Sequence, residues 1–190
     1  MAEIKGVLLS AWLNFLKDRY GPSRVSDALE SLDQEDRAAL AKPFLASSWY
    51  TYDTLHALRR LTRKLWTPDE GDISPTIGRR MAQDAFTGVY QSLLEKDPIK
   101  QVEKFSWIGD FFFREARTLE TEITGDASCL VRYRYEKGAN PTQAICESLK
   151  HFWSRTLELS GASNVASAHP KCAARGQNIC EFSFHWSTGS

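Results

Sequence analysis

Three cysteines and one histidine in the last third of the chain have types and spacings that suit a single metal ion. They are Cys146, His169, Cys172 and Cys180. The run His169-Pro170-Lys171-Cys172 sets two ligand types three residues apart, and a short loop over 173–179 returns the chain to Cys180. Tetrahedral zinc accepts a Cys3His set, and closed sets of this kind are structural. Spacing alone leaves two other readings open. The pattern is not a Cys-x-x-Cys pair, and buried free cysteines commonly serve as small hydrophobes. A disulfide is the third reading. The opening Met-Ala-Glu-Ile-Lys carries no apolar stretch of signal length, so a reducing, cytoplasmic location is expected, where disulfides are rare.

Other chemistry finds little support. Gly6, Gly21 and Gly71 are isolated and form no phosphate cradle, and no serine sits in a Gly-x-Ser-x-Gly elbow. His56 and His151 lie on helical stretches beside basic residues, and His185 alternates outward on a strand. The carboxylate pairs Glu35-Asp36, Asp69-Glu70 and Glu120/Glu122 fall in loops or on solvated faces, without the apolar setting that separates pKa values for acid/base work. The chain therefore reads as non-enzymatic. With 24 basic and 24 acidic residues the net charge is +0, which gives no footprint for nucleic acid. The basic run over 59–64 reads as one solvated helix face. No apolar run approaches the roughly 20 residues of a membrane span. Aromatic residues make up 12% of the chain and include six Trp, fitting a bulky core or an apolar ligand cavity.

The elements that must position these residues follow from periodicity. Ile4, Val7, Leu8, Ala11, Trp12, Phe15 and Leu16 recur at helical spacing up to Gly21-Pro22. Ser23 is placed to cap a short second helix, and Asp33 a third that Pro43 stops. The pattern repeats over 52–66. Ser74-Pro75 opens the longest expected helix, to about Leu94, and Asp97-Pro98 restarts one toward Trp107 or Phe113. The period then changes to two. Residues 114–124 and 129–135 alternate as half-buried strands around a Gly125-Asp126 turn. Gly138–Pro141 leads into a helix carrying Ile145, Leu149, Phe152, Trp153 and Leu157, and strands over 164–169 and 180–186 close the chain. The prediction is an α+β fold: N-terminal helices packed on a C-terminal antiparallel sheet of about four strands, with one crossing helix. It is expected to form a single domain over 1–190, with a helical part over 1–113 and a strand-rich part over 114–190.

Two stretches resemble known families. Ile4-Lys5-Gly6-Val7-Leu8-Leu9-Ser10-Ala11-Trp12-Leu13, with Tyr20-Gly21 and Ala28-Leu29, resembles the opening of haem nitric-oxide/oxygen-binding (H-NOX) domains. Cys146, His169-Pro170-Lys171-Cys172, Arg175-Gly176 and Cys180-Glu181-Phe182 resemble the close of 4-vinyl-reductase-type domains. In whole-length layout the chain also resembles a group of myxobacterial H-NOX-like proteins. The resemblance implies a fold, shared with TRAPP vesicle-tethering subunits, that encloses an apolar ligand or acyl chain. It also implies a structural zinc at Cys146, Cys172 and Cys180, with His169 standing where that family usually has an acidic residue.

The chain departs from H-NOX at two places. Phe105-Ser106-Trp107-Ile108-Gly109-Asp110-Phe111-Phe112-Phe113 holds no proximal histidine, and Tyr133-Arg134-Tyr135-Glu136-Lys137 lacks the Ser and Arg of the haem-propionate clasp. The expectation is therefore zinc and no haem. In place of haem, a reduced apolar pocket is expected around Tyr90, Trp107, Phe111, Phe112 and Tyr133, sized for a small aromatic or a lipid tail, with Arg132 or Arg134 placed to hold an acid. The alternative is that the same rings fill the core, since interiors are close-packed. The first helix carries Leu8, Leu9, Trp12, Leu13 and Leu16, more apolar surface than one stripe needs, which predicts a homodimer or a protein partner. The functional reading is a sensor or adaptor that binds an apolar small molecule or a partner. A pure interaction scaffold with a filled core is one alternative. An enzyme acting on a tetrapyrrole precursor is another.

Overall fold

A computed structural model describes residues 2–136 and 141–188. In chain order the elements are β1 (Glu3–Lys5), α1 (Gly6–Tyr20), α2 (Pro22–Glu30), α3 (Gln34–Leu40), β2 (Trp49–Thr51), α4 (Tyr52–Leu65), α5 (Ser74–Thr87), α6 (Pro98–Glu103), α7 (Phe105–Phe112), β3 (Phe113–Arg114), β4 (Arg117–Gly125), β5 (Ser128–Tyr135), α8 (Gln143–Leu159), β6 (Ala162–Lys171) and β7 (Cys180–Thr188). The architecture is the expected α+β one. Helices come first, and an antiparallel sheet in the order β4-β5-β7-β6 follows, with α8 as its crossing helix. One apolar cluster runs from Ile4 through the helices to Trp186.

Local chemistry explains most boundaries. Gly21, at φ 83°, ends α1, and its N–H donates to the Lys17 carbonyl. Proline at the first position then starts α2 with Gly21, not Ser23, as the residue before it. Asp33 caps α3 by accepting from the Asp36 N–H, as expected. The expected long helix from Ser74 is shorter than its periodicity suggests. It stops at Thr87, where Gly88 leaves the helical region at φ −106° and ψ −132°, and Tyr90 lies beyond it in a turn. The longest helix is instead α8, with 17 residues, capped by Thr142. The stretch from Pro98 divides into α6 and α7 at Lys104. The Gly138–Asn140 lead-in and Lys137 lie outside the described residues.

A second, three-stranded sheet in the order β2-β1-β3 escaped the sequence reading, because strands of two or three residues show no period. It ties the start of the chain to the junction between the helical and strand-rich parts. Ile4 pairs with Tyr50 on one side and Phe113 on the other.

Packing within the chain also removes the premise of the dimer expectation. Leu8, Leu9, Trp12, Leu13 and Leu16 are all buried by the chain's own elements. Trp12 further donates its indole N–H to Thr62 Oγ1 on α4 at 3.0 Å. The wide apolar surface of α1 marks a helix enclosed on most sides.

Candidate functional site

Three elements and the turn after β6 bring the Cys3His residues together. Cys146 projects from the first turns of α8, His169 and Cys172 stand at the end of β6 and just beyond it, and Cys180 opens β7. Their ligand atoms all lie within 4.8 Å of one another. The Sγ atoms of Cys146 and Cys180 are 3.4 Å apart, and none of the four cysteines is in a disulfide. A tetrahedral ion with bonds of about 2.3 Å needs donor separations of roughly 3.8 Å, so the cluster has the right size.

The local fold aims each side chain. On β6, Val165, Ser167 and His169 share the inward face. The β6–β7 register then slips between Ala168 and Lys171, which frees His169 from a ladder partner. Its ring packs on Phe182 at 4.3 Å, and its side chain is 4% exposed. A turn over Ala173–Arg175 reverses the chain, with Gly176 in the left-handed region at φ 87°. Arg175 donates to the His169 carbonyl, and the Cys172 N–H donates to Gln177 Oε1.

The electrostatics favour a thiolate at Cys180. Its hydrogen bond from Cys146 draws its pKa down, assisted by His169 and by the Ala173 N–H 3.3 Å away. The same thiol–thiol bond, then burial, pushes Cys146 up. Both ring nitrogens of His169 are buried with no hydrogen-bond partner, although Glu147 Oε1 lies 3.5 Å from Nδ1. Two unpaired nitrogens on a buried imidazole beside three thiols suit a metal ligand better than a packed core residue. The fourth cysteine, Cys129, stands apart on β5, and burial pushes its thiol up to about 12. It is the inert one.

Beside this cluster the core holds a cavity of about 30 Å³. Its wall draws on both parts of the chain. Ile4 and Trp12 come from the N-terminus, Tyr52 and Leu55 from α4, Met81 from α5, and Leu149 and Phe152 from α8. Phe113 and Arg117 come from the strand side. The wall is apolar with one charge, that of Arg117.

The five residues expected around a pocket lie nearby but not in this wall. Tyr90, Phe111 and Phe112 form an edge-to-face cluster, with ring centroids 5.0–5.6 Å apart. Trp107 touches Phe111 but is 53% exposed. Tyr133 is fully buried, accepts a hydrogen bond from the Trp153 indole N–H, and faces Arg117. The two arginines expected to hold an acid are engaged elsewhere. Arg132 bonds Glu181 and Glu122, and Arg134 is an exposed side chain 3.8 Å from Glu120. Arg117 was missed, although a signal existed. It shares a strand face with Leu119, and a charge in phase with an apolar position on a half-buried strand points into the core.

No protein-family model matches the chain, and no curated protein matches its sequence. Solved structures do match its fold. An H-NOX protein from S. oneidensis in the Fe(II)NO ligation state is 12% identical, covers 97% of this chain and 99% of its own, and superposes with a TM-score of 0.72. The Fe(II) unliganded H-NOX protein from K. algicida is 15% identical over 98% of both chains, with a TM-score of 0.67. A structure solved for modulating haem redox potential through protein-induced porphyrin distortion is 12% identical over 96% of this chain and 99% of its own, at 0.63. The chain therefore has the H-NOX fold along nearly its whole length.

This finding corrects the expectation of no haem. The solved proteins of this fold named above are Fe(II) and porphyrin proteins, so the missing histidine does not by itself set the chain apart from a haem-binding fold. The expectation rested on the histidine missing from 105–113. Haem iron also accepts tyrosine and methionine, and the cavity wall presents one of each, Tyr52 and Met81.

Proposed function

We propose that this chain is a single-domain, non-enzymatic sensor or adaptor, braced at its sheet end by zinc and able to take an apolar small molecule, haem foremost, in its core cavity. The observation that supports this most is the cavity itself. Rings and aliphatic chains from both parts converge on one space, in a fold whose solved examples include Fe(II) proteins. Tyr52 or Met81 would hold the iron, and the apolar wall would exclude water from the bound face. Bound haem would supply a metal centre for a small ligand. The zinc, on Cys146, His169, Cys172 and Cys180, would join α8 to β6 and β7 and so fix one wall of the same core.

The free space of about 30 Å³ admits about one water, so any larger occupant must part the helices from the sheet. That coupling of occupancy to packing is what a sensor requires. The small volume also favours the second reading, a scaffold with a filled core. Native mass spectrometry and absorption spectra of protein expressed with haem supplementation separate the two. A co-purified apolar molecule, or a Soret band that survives gel filtration, is expected. A bare chain that takes up neither haem nor any apolar compound on titration leaves the scaffold reading.

We also propose that a second copy docks on the side that carries Trp107. Leu45, Val89 and Trp107 are large exposed apolar side chains, and Tyr90 links their neighbourhoods through Ala46 and Phe111. Sedimentation is expected to show a dimer at micromolar concentration that Trp107→Glu converts to monomer. A strict monomer of the unaltered chain retires this assembly.

A further inference from the structure

We propose that Arg117 is the anion anchor of the core cavity, and that the natural occupant is an apolar body bearing a carboxylate. This rests on the cavity reading above and specifies its ligand class. Arg117 opens β4, opposite Tyr135 in the hairpin register, and its side chain turns inward. It is 7% exposed and lines the cavity. Nε and Nη2 are buried with no hydrogen-bond partner, and no carboxylate pairs with it among the described residues.

The groups around it, which include Tyr52, Tyr135 and Cys146, give neither Nε nor Nη2 a hydrogen bond. The guanidinium lies over the Phe113 ring at 3.7 Å and the Tyr133 ring at 4.4 Å. Ring faces satisfy the flat face of a guanidinium. They offer nothing to its edge, where five N–H groups need in-plane acceptors. Arginine does not shed its proton to escape the core, so the charge persists. Buried charges in folded proteins are paired, and one left unpaired is strongly destabilising. The residue is thus poorly placed for stability and well placed for a bound acid. A carboxylate matches the guanidinium fork in shape and charge, with two parallel hydrogen bonds. The rest of the wall, including Trp12, Met81, Leu149 and Phe152, sets the remainder of the ligand as apolar. A tetrapyrrole with propionates and a fatty acid both meet this description.

The test is titration of the full chain with two acid/ester pairs, read by tryptophan fluorescence, since Trp12 lines the cavity. The pairs are protoporphyrin IX with its dimethyl ester, and dodecanoic acid with its methyl ester. One acid is expected to bind about 100-fold more tightly than its ester, and the pair that shows the gap identifies the source. In Arg117→Met the gap should close through loss of acid affinity, while ester affinity stays. Arg117→Lys should retain part of the preference. Without ligand, Arg117→Met should melt at or above the temperature of the unaltered protein, because it removes an unpaired charge. Equal binding of acid and ester by the unaltered chain overturns the assignment and leaves the cavity reading intact. So does an Arg117→Met protein that keeps the acid preference. Failure of all four compounds to bind removes the cavity reading, and this one with it.

Discussion

Protein purified without chelator is expected to carry one zinc per chain, and stripping that zinc is expected to lower its melting temperature by roughly 8–16 °C. The size follows from mass action. Zinc at a thousand times its dissociation constant stabilises the folded chain by about 4 kcal/mol, and in a domain of this size each kcal/mol shifts the midpoint by about 2–4 °C. The site concentrates that effect because its ligands come from α8, the end of β6, the turn and β7. Without metal, the two His169 nitrogens remain buried and unpartnered, and Cys146 and Cys180 are left sharing a proton across 3.4 Å. Added zinc should restore the midpoint. Cys172→Ser and Cys180→Ser should each lose the metal and reproduce the stripped protein's melting, whereas Cys129→Ser should keep one equivalent. Cys129 is outside the cluster and marks the difference between a ligand and a core thiol. Elemental analysis that finds no metal, or a chelator that leaves melting unchanged, ends the zinc reading.

Gly78→Ala is expected to destabilise the protein by about 2 kcal/mol or more, although alanine is the better helix former. Gly78 sits in α5 where that helix crosses α8. A Cβ there would come within 1.9 Å of the Ser148 carbonyl oxygen and 2.7 Å of its carbon. The obstacle is backbone, so no side chain can rotate away. Alanine contributes about 1 kcal/mol through helix propensity. Overpacking typically costs about 1–3 kcal/mol and occasionally more, and a backbone oxygen within 1.9 Å puts this site at the upper end, so the clash decides the sign. Melting should fall by roughly 4–8 °C. The contact is also pinned by the Ser148 hydroxyl, which donates to the Ser74 carbonyl at 3.0 Å. Met81 and Leu149, one turn or less away, line the cavity, so separating the helices should also change ligand affinity. A variant that melts at or above the unaltered protein would show that the two helices are free to move apart.

Both predictions concern the same core from opposite ends, and they differ in how far the sequence alone leads to them. The sequence determined the α+β order, the hairpin about Gly125-Asp126, the crossing helix and the identity of the Cys3His set. Those features are local. A period of two or 3.6, a turn dipeptide and the chemical type of a ligand can each be read from a short window. The early end of α5 at Thr87, the division at Lys104 and the short strands β1, β2 and β3 were not legible. Breaks and two-residue pairings depend on what packs against them, not on a repeating pattern. The burial of α1 on most sides is of the same kind, since one helix cannot show how many neighbours it has.

The tertiary structure alone decided where the cavity lies and what charge enters it. Ile4, Tyr52, Met81, Arg117 and Phe152 are far apart in sequence and meet only when β1 pairs with β3 and α5 packs on α8. Arg117 and Arg132 look alike on alternating strands. One shares a face with Leu119 and is buried without an acidic partner, and the other bonds Glu122 and Glu181 on the outer face. Charge type is written in the sequence, but its desolvation and pairing are set by the face on which the folded sheet leaves it, and that difference separates an ion pair from an anchor.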